Sequence, residues 1–244
     1  MTKKRVLVPL PDRDFDTTEA AVPWALLRDA GHEIVFATEK RVTPECDPLL
    51  LTGVIFGQLG AEAEPKRLYR EMEQDASFKN PIAWSNIDVA DYDALLLAGG
   101  HAPGMRQYLA SEVLQHKVAA FARSGRPLAA ICHGTVLLAR SKHEGKSVLF
   151  GRKTTCLPKY MERGAYFLTA WKLGRYYRTY DEYVEDEVKG VLESPEHFVR
   201  GPFSLGRGTN EDDTPAFVVE DDTYISSRWP GDAFLFAKKL CERL

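Results

Sequence analysis

The chain has 244 residues, 44% of them hydrophobic and 27% charged, a composition that supports a globular core rather than a disordered or fibrous chain. Its net charge of −3 and pI near 6.1 supply no basic field for nucleic acid or an anionic membrane, so both are excluded as partners. No apolar run approaches the roughly 18–20 residues that span a bilayer. The charged start, Thr2-Lys3-Lys4-Arg5, is followed by an apolar stretch too short for a signal peptide, broken by Pro11-Asp12-Arg13-Asp14. A cytoplasmic location is expected. The four cysteines, Cys46, Cys132, Cys156 and Cys241, form no CxxC pair and stand near no histidine cluster. Neither a disulfide framework nor a metal site is indicated.

Taken in chain order, apolar runs alternate with helical patterns, the signature of a parallel sheet covered on both faces. Residues 5–10 read as a buried strand, 20–30 as a helix stopped by Gly31, and 33–38 as a second strand. Residues 94–98 form a third strand closed by Gly99-Gly100. A helix over 111–124 ends at Gly125, a fourth strand covers 127–131, and another helix starts at Gly134. Residues 216–219 and 223–226 read as two strands or one hairpin, and 232–244 as the closing helix. Two segments break the rhythm. Residues 41–90 carry a helical patch near 62–74, and residues 172–215 hold Tyr176, Tyr177, Tyr180 and Tyr183 before Pro, Gly and Asp clusters. Both read as insertions beside the active edge of a single domain spanning 1–244.

The segment that carries chemistry is Ala129-Ala130-Ile131-Cys132-His133-Gly134. A buried strand ends at Cys132 and a helix begins at once, with small residues around the turn. A tight strand-to-helix turn holds its nucleophile in sparsely allowed backbone space and needs such neighbours. The turn lifts the sulfur above the carboxyl edge of the sheet, where open α/β folds bind ligands. It also aims the sulfur at a helix N-terminus, whose partial positive charge favours the thiolate. Taken alone, Cys132 also reads as a small buried core residue. The following His-Gly and the preceding strand favour the functional reading, with Cys132 alone carrying a thiolate near neutral pH.

This elbow resembles that of the ThiJ/PfpI superfamily. Asp91 to His101 resembles that family's strand ending in Gly-Gly-His, Thr18 to Pro23 its early Glu-x-x-x-Pro helix, and Ile225 to Gly231 its closing segment. The resemblance covers most of the chain, in the same order. It implies a flavodoxin-like three-layer α/β sandwich around a mainly parallel sheet, class I glutamine amidotransferase-like, closest to the chaperone/glyoxalase III-like branch. It implies that Glu19 touches the sulfur, with a pKa raised by burial. It implies that His133 is the acid–base partner, and that the N–H groups of Gly100 and His133 face a substrate oxyanion. His101 is expected to line the pocket. For the acid that orients His133, Glu162 stands at the family's spacing, after an expected strand over 153–158. Asp212 and Asp213 are the fallback. The tyrosines are expected to pack, and Cys46, Cys156 and Cys241 to be structural.

Three functions follow from the resemblance. The first is glutathione-independent glyoxalase chemistry on small reactive aldehydes, methylglyoxal to lactate. The second is a cysteine peptidase or amidase with a Cys132–His133–Glu162 triad. The third is a stress-response chaperone or redox sensor without turnover. A narrow pocket would admit a triose aldehyde and exclude a peptide. No cofactor is expected, the partner is a small-molecule substrate, and the sequence leaves room for a homodimer. Class I glutamine amidotransferases share the elbow but carry a late His-x-Glu pair. The late histidine here is His197, followed by Phe198-Val199, so that reading is rejected.

Overall fold

A computed structural model describes residues 2–55 and 59–244. Residues 56–58, part of the expected first insertion, and Met1 lie outside the described residues. Seven strands form the main sheet: β1 (Arg5–Pro9), β2 (Glu33–Thr38), β3 (Ile82–Ala83), β4 (Ala94–Leu97), β5 (Leu128–Ile131), β6 (Val218–Asp221) and β7 (Tyr224–Ser227), in the spatial order β6-β7-β5-β4-β1-β2-β3. Every pairing is parallel except β6–β7. That edge pair is the expected hairpin, turned through Asp222 at φ 53°.

The central strands are continuous apolar runs because helices cover both faces. Every residue of β4 and β5 is buried. The main helices are α1 (Thr17–Asp29), α2 (Ala63–Met72), α3 (Glu112–Ala122), α4 (Gly134–Arg140), α5 (Lys159–Leu173), α6 (Val184–Gly190) and α7 (Ala233–Cys241). Helix α1 packs against α2 and α7, while α3 packs against α4, giving the two helical layers of a three-layer α/β sandwich.

The elements expected from the sequence are found to within a few residues, α5 and α6 stand where no helix was expected, and two further differences bear on the sheet. The first insertion contributes more than a cap: β3 inside it is an edge strand of the main sheet, paired to the end of β2. The expected strand over 153–158 makes a single parallel bridge, Thr154 to Phe198. The local polar groups bond sideways instead. Thr154 Oγ1 meets the Tyr224 hydroxyl at 2.9 Å, and Thr155 N–H donates to Ser226 Oγ at 3.0 Å. Pro158 then caps α5 and carries no N–H for a ladder.

Candidate active site

Cys132 lies between β5 and α4 with φ 57°, a left-handed conformation strained for an L residue. Its N–H donates to Ser227 O at 3.1 Å, and its carbonyl accepts from Thr135 Oγ1 at 2.7 Å. These bonds from β7 and α4 fix the turn. A Cβ at Gly134 would stand 2.3 Å from Leu97 O, so only glycine lets α4 begin this close to the end of β4. A Cβ at Gly99 would stand 2.7 Å from both Glu19 Oε2 and His133 N. Gly99 therefore keeps open the space in which the glutamate, the histidine and the cysteine meet.

Glu19 sits in the first turn of α1 and is fully buried. Asp16 caps that helix, its Oδ1 accepting from Thr18 N–H at 2.8 Å and Glu19 N–H at 3.0 Å. In a capping box the glutamate would reach back to the cap residue. Here Glu19 Oε2 instead accepts from Gly99 N–H at 2.8 Å, which turns the carboxyl toward the elbow. Oε1 is buried with no conventional oxygen or nitrogen partner, and the Cys132 thiol interacts with this carboxyl. Burial pushes the Glu19 carboxyl well up, and Asp16 adds to the effect. Asp16 itself is pushed up to about 6 by burial.

The thiol does not follow the sequence expectation. Burial pushes it well above the ordinary cysteine range, with the Glu19 and Asp16 charges adding to the rise. The His133 N–H pulls the other way, and burial wins. Cys46 and Cys241 are pushed up to about 11, and Cys156 is also raised, so none of the four cysteines is a resting free thiolate by environment alone. Burial and mutual repulsion instead disfavour the doubly ionised Glu19–Cys132 pair, which retains at least one proton.

His133 Nδ1 lies 3.5 Å from Cys132 Sγ, and its Nε2 lies 3.4 Å from Thr179 Oγ1. Thr179 Oγ1 donates its own proton to His101 O at 2.7 Å, so it accepts from His133. That assigns the Nε2–H tautomer and leaves Nδ1 free to accept the thiol proton. Burial keeps His133 neutral, shifting it well down, with the His101, Arg140 and Arg178 charges in the same direction. His101 closes the group: its Nε2 is 4.0 Å from the sulfur, its ring centroid lies 4.7 Å from that of His133 with the planes tilted by 59°, and burial lowers it to about 4. One ring nitrogen each of His101 and His133 and the Cys132 sulfur lie within 4.8 Å of one another, a donor set close enough to share one zinc or copper ion. The sequence could not show this trio, because His101 arrives from the loop after β4. Among the described residues no protein oxygen accepts from Gly100 N–H, and the His133 N–H interacts with the sulfur.

The acid assignments need correction. Glu162 is buried in the first turn of α5, but both its oxygens are engaged away from His133. Oε1 accepts from Arg178 Nη1 and Oε2 from Val184 N–H, each at 3.0 Å. Asp212 bonds Thr214 on the surface, and Asp213 pairs with Lys238 at 2.8 Å. Neither bonds His133. The hydroxyl of Thr179 occupies the orienting position, and no sequence signal marks it, 46 residues from His133 in irregular chain. Asp16 was legible, since Asp16-Thr17-Thr18-Glu19 has capping-box spacing. The tyrosines pack as expected, and two do more. The hydroxyls of Tyr176 and Tyr177 donate to Asp47 at 3.1 and 3.0 Å, and the Tyr177 and His101 rings meet edge to face with centroids 5.9 Å apart.

Glu162 has a consequence for stability. Burial raises its carboxyl to about 7 in the folded state, against an ordinary value of 4.5. The folded protein therefore binds this proton more tightly than the unfolded chain, and stability from this group falls as pH rises between those two values. Wild type is expected to lose up to about 3 kcal/mol relative to Glu162→Gln across pH 4.5 to 7, the change levelling off about one pH unit beyond each end. Urea denaturation of both proteins across that range checks it. A difference of opposite slope would show that Arg178 holds the carboxylate ionised.

An α/β sandwich with a buried cysteine on a left-handed strand-to-helix turn, a carboxyl against it and a histidine beside it is the arrangement of the DJ-1/PfpI class. The comparisons agree. A profile described as ThiJ/PfpI family-like matches residues 10–202, and the chain belongs to that family. It is 27% identical over 245 residues to an uncharacterised protein of Schizosaccharomyces pombe, covering 97% of this chain and 82% of that one. It is 30% identical over 154 residues to a deglycase of Pyrococcus abyssi, covering 63% and 72%. Its fold matches that of glyoxalase III from Candida albicans with a TM-score of 0.68 at 19% identity, over 99% and 97% of the two chains.

Proposed function

We propose that this protein is an enzyme that converts reactive 2-oxoaldehydes to 2-hydroxy acids without glutathione, methylglyoxal to lactate being the simplest case. The observation that carries the reading is the buried Glu19 carboxyl, anchored by Gly99 N–H and set against the Cys132 thiol. Acyl transfer needs a nucleophile and one base. A 2-oxoaldehyde needs a further group, because a proton must leave C1 and return at C2. The names of two similar proteins, a deglycase and a glyoxalase III, support reactive carbonyl compounds as the substrate class.

The residues divide the work as follows. His133 Nδ1 takes the thiol proton as the sulfur adds to the aldehyde carbon, and the new oxyanion accepts from the N–H groups of Gly100 and His133. Glu19 hands its proton to that oxyanion and is thereby ionised; it then takes the C1 proton while His133 passes the thiol proton to the C2 oxygen, and Glu19 delivers the carbon-bound proton to C2 and recovers its own from the C1 oxygen, leaving a thioester on Cys132, a hydroxyl at C2 and a neutral His133. Water, activated by His133, adds its oxygen to C1 and expels the sulfur, which regains a proton. The balance is one 2-oxoaldehyde plus one water giving one 2-hydroxy acid.

The peptidase reading is weaker, because His133 has a threonine hydroxyl rather than a carboxylate at its far nitrogen. The experiment that tests the proposal compares lactate formation from methylglyoxal, without glutathione, with hydrolysis of casein on one preparation. Lactate without peptide release is expected. Casein cleavage without lactate would transfer the site to the peptidase class.

A further inference from the structure

A cavity of about 580 Å³ has Asp16 and His101 on its wall, and His101 Nε2 lies 4.0 Å from the Cys132 sulfur. A triose aldehyde would leave most of it empty. A cavity of ~150 Å³ lined by aliphatic and aromatic side chains is already enough to hold benzene. The space therefore has about four times the volume that one aromatic ring needs, and it falls in the range that encloses a mid-sized organic ligand.

One helix face builds it. Met161, Gly164, Ala165 and Leu168 on α5 all line the cavity. They stand at i, i+3, i+4 and i+7, a single stripe. The two long side chains flank two very small ones, and a Cβ at Gly164 would meet nothing within 4 Å. The volume exists because residues 164 and 165 do not fill it. Opposite stand Phe203, Leu205 and Trp229, with Leu50 and Val54 from the first insertion. Among the described residues the charged groups on the wall are Asp16, Asp47 and Arg207. Asp47 is held by the two tyrosine hydroxyls, while Arg207 pairs with Glu62 at 3.5 Å and lies 5.1 Å over the Trp229 ring. The rest of the described lining is mainly apolar, with the Tyr160 hydroxyl and the Trp229 indole nitrogen as its unpartnered polar groups.

We propose that this cavity binds the tail of the substrate, and that the preferred substrates are 2-oxoaldehydes carrying an uncharged aryl or medium-chain alkyl group. The inference rests on the reading of Cys132 and Glu19 given above and specifies its substrate class. The reacting carbonyls reach the sulfur past His101, and the tail lies along the α5 stripe. A phosphorylated or carboxylated tail is rejected, because it would be buried among apolar groups beside Asp16 and Asp47.

The test measures kcat/KM for methylglyoxal, phenylglyoxal and n-hexylglyoxal with wild type and Gly164→Phe. Ala165→Phe serves as a second filling variant, and thermal unfolding confirms that each is folded. Wild type should prefer both larger substrates over methylglyoxal by at least about tenfold, the discrimination typical of apolar pockets. Filling the stripe should abolish that preference, lowering kcat/KM for the two larger substrates by at least about tenfold more than for methylglyoxal. Equal or better use of methylglyoxal by wild type, or a preference unchanged in both filled variants, overturns the inference and leaves the aldehyde reading intact. Turnover of none of the three substrates overturns both.

Discussion

Glu19→Gln is expected to lower 2-oxoaldehyde turnover by roughly 10²–10⁴-fold, the range for a positioned acid–base group, while leaving the protein folded. Glutamine has the same shape, and its oxygen can still accept from Gly99 N–H in place of Oε2. What it cannot do is exchange a proton with the substrate. Two further readouts separate this role from a structural one. The variant's thermal midpoint should stay near that of wild type, because the buried carboxyl of the native protein is itself favoured in its neutral form. The cysteine should still form its aldehyde adduct, detectable as a mass increase on the Cys132 peptide after rapid quenching. If turnover survives in the glutamine variant, Glu19 only shapes the elbow, and proton transfer between the two carbons must be done by His133 alone.

The largest stability effect is expected at Asp232. Its two oxygens accept from Arg228 Nε at 2.9 Å and Nη2 at 2.8 Å, and both side chains have no exposure. The same carboxylate accepts from Phe217 N–H at 2.8 Å and Arg228 N–H at 3.1 Å, while Arg228 Nη1 donates to Pro202 O at 2.7 Å. The pair thus ties the end of β7, the start of α7, the approach to β6 and the segment that walls the cavity. Asp232→Ala leaves a guanidinium buried without its counter-charge, which costs about 3–5 kcal/mol. That is a large part of the 5–15 kcal/mol typical of a whole domain. Chemical denaturation should show the loss as a lower midpoint. A double change to apolar residues, Arg228→Met with Asp232→Leu, should be far less damaging, because no charge is left unpaired. A loss below about 1 kcal/mol for Asp232→Ala would mean that the guanidinium finds solvent or another acceptor.

The contrast between elbow and orienting group shows what a sequence can carry. Cys132 was legible because its constraint is local: a buried strand, a strained residue, then Gly134, which alone fits against Leu97 O. Glu19 was reachable through its place in the first turn after β1. The arrangement around His133 was not legible, because it is settled by Arg178 and Thr179 in irregular chain. Glu162 stands at the expected spacing, yet Arg178 and Val184 N–H draw its carboxyl away. Spacing fixed which turn it occupies and left its direction to a neighbour with no periodic signature. The same holds for the thiol. The helix start that should favour a thiolate is present, but the depth of burial, which only the assembled fold reveals, outweighs it. The cavity lies between these cases. The stripe Met161, Gly164, Ala165, Leu168 is written in the sequence, whereas the wall opposite comes from an irregular stretch near residues 203–205.

The central claim is that the Cys132 sulfur performs the chemistry on an aldehyde with Glu19 moving the proton. The most direct test is glutathione-free hydroxy-acid formation from methylglyoxal and phenylglyoxal, run with wild type and Cys132→Ala of matched thermal stability. Wild type is expected to form lactate and mandelate, and Cys132→Ala to form neither above the uncatalysed rate. Hydroxy acid produced at an undiminished rate by Cys132→Ala would contradict the account, because the elbow would then be a packing device and the chemistry would belong elsewhere in the protein.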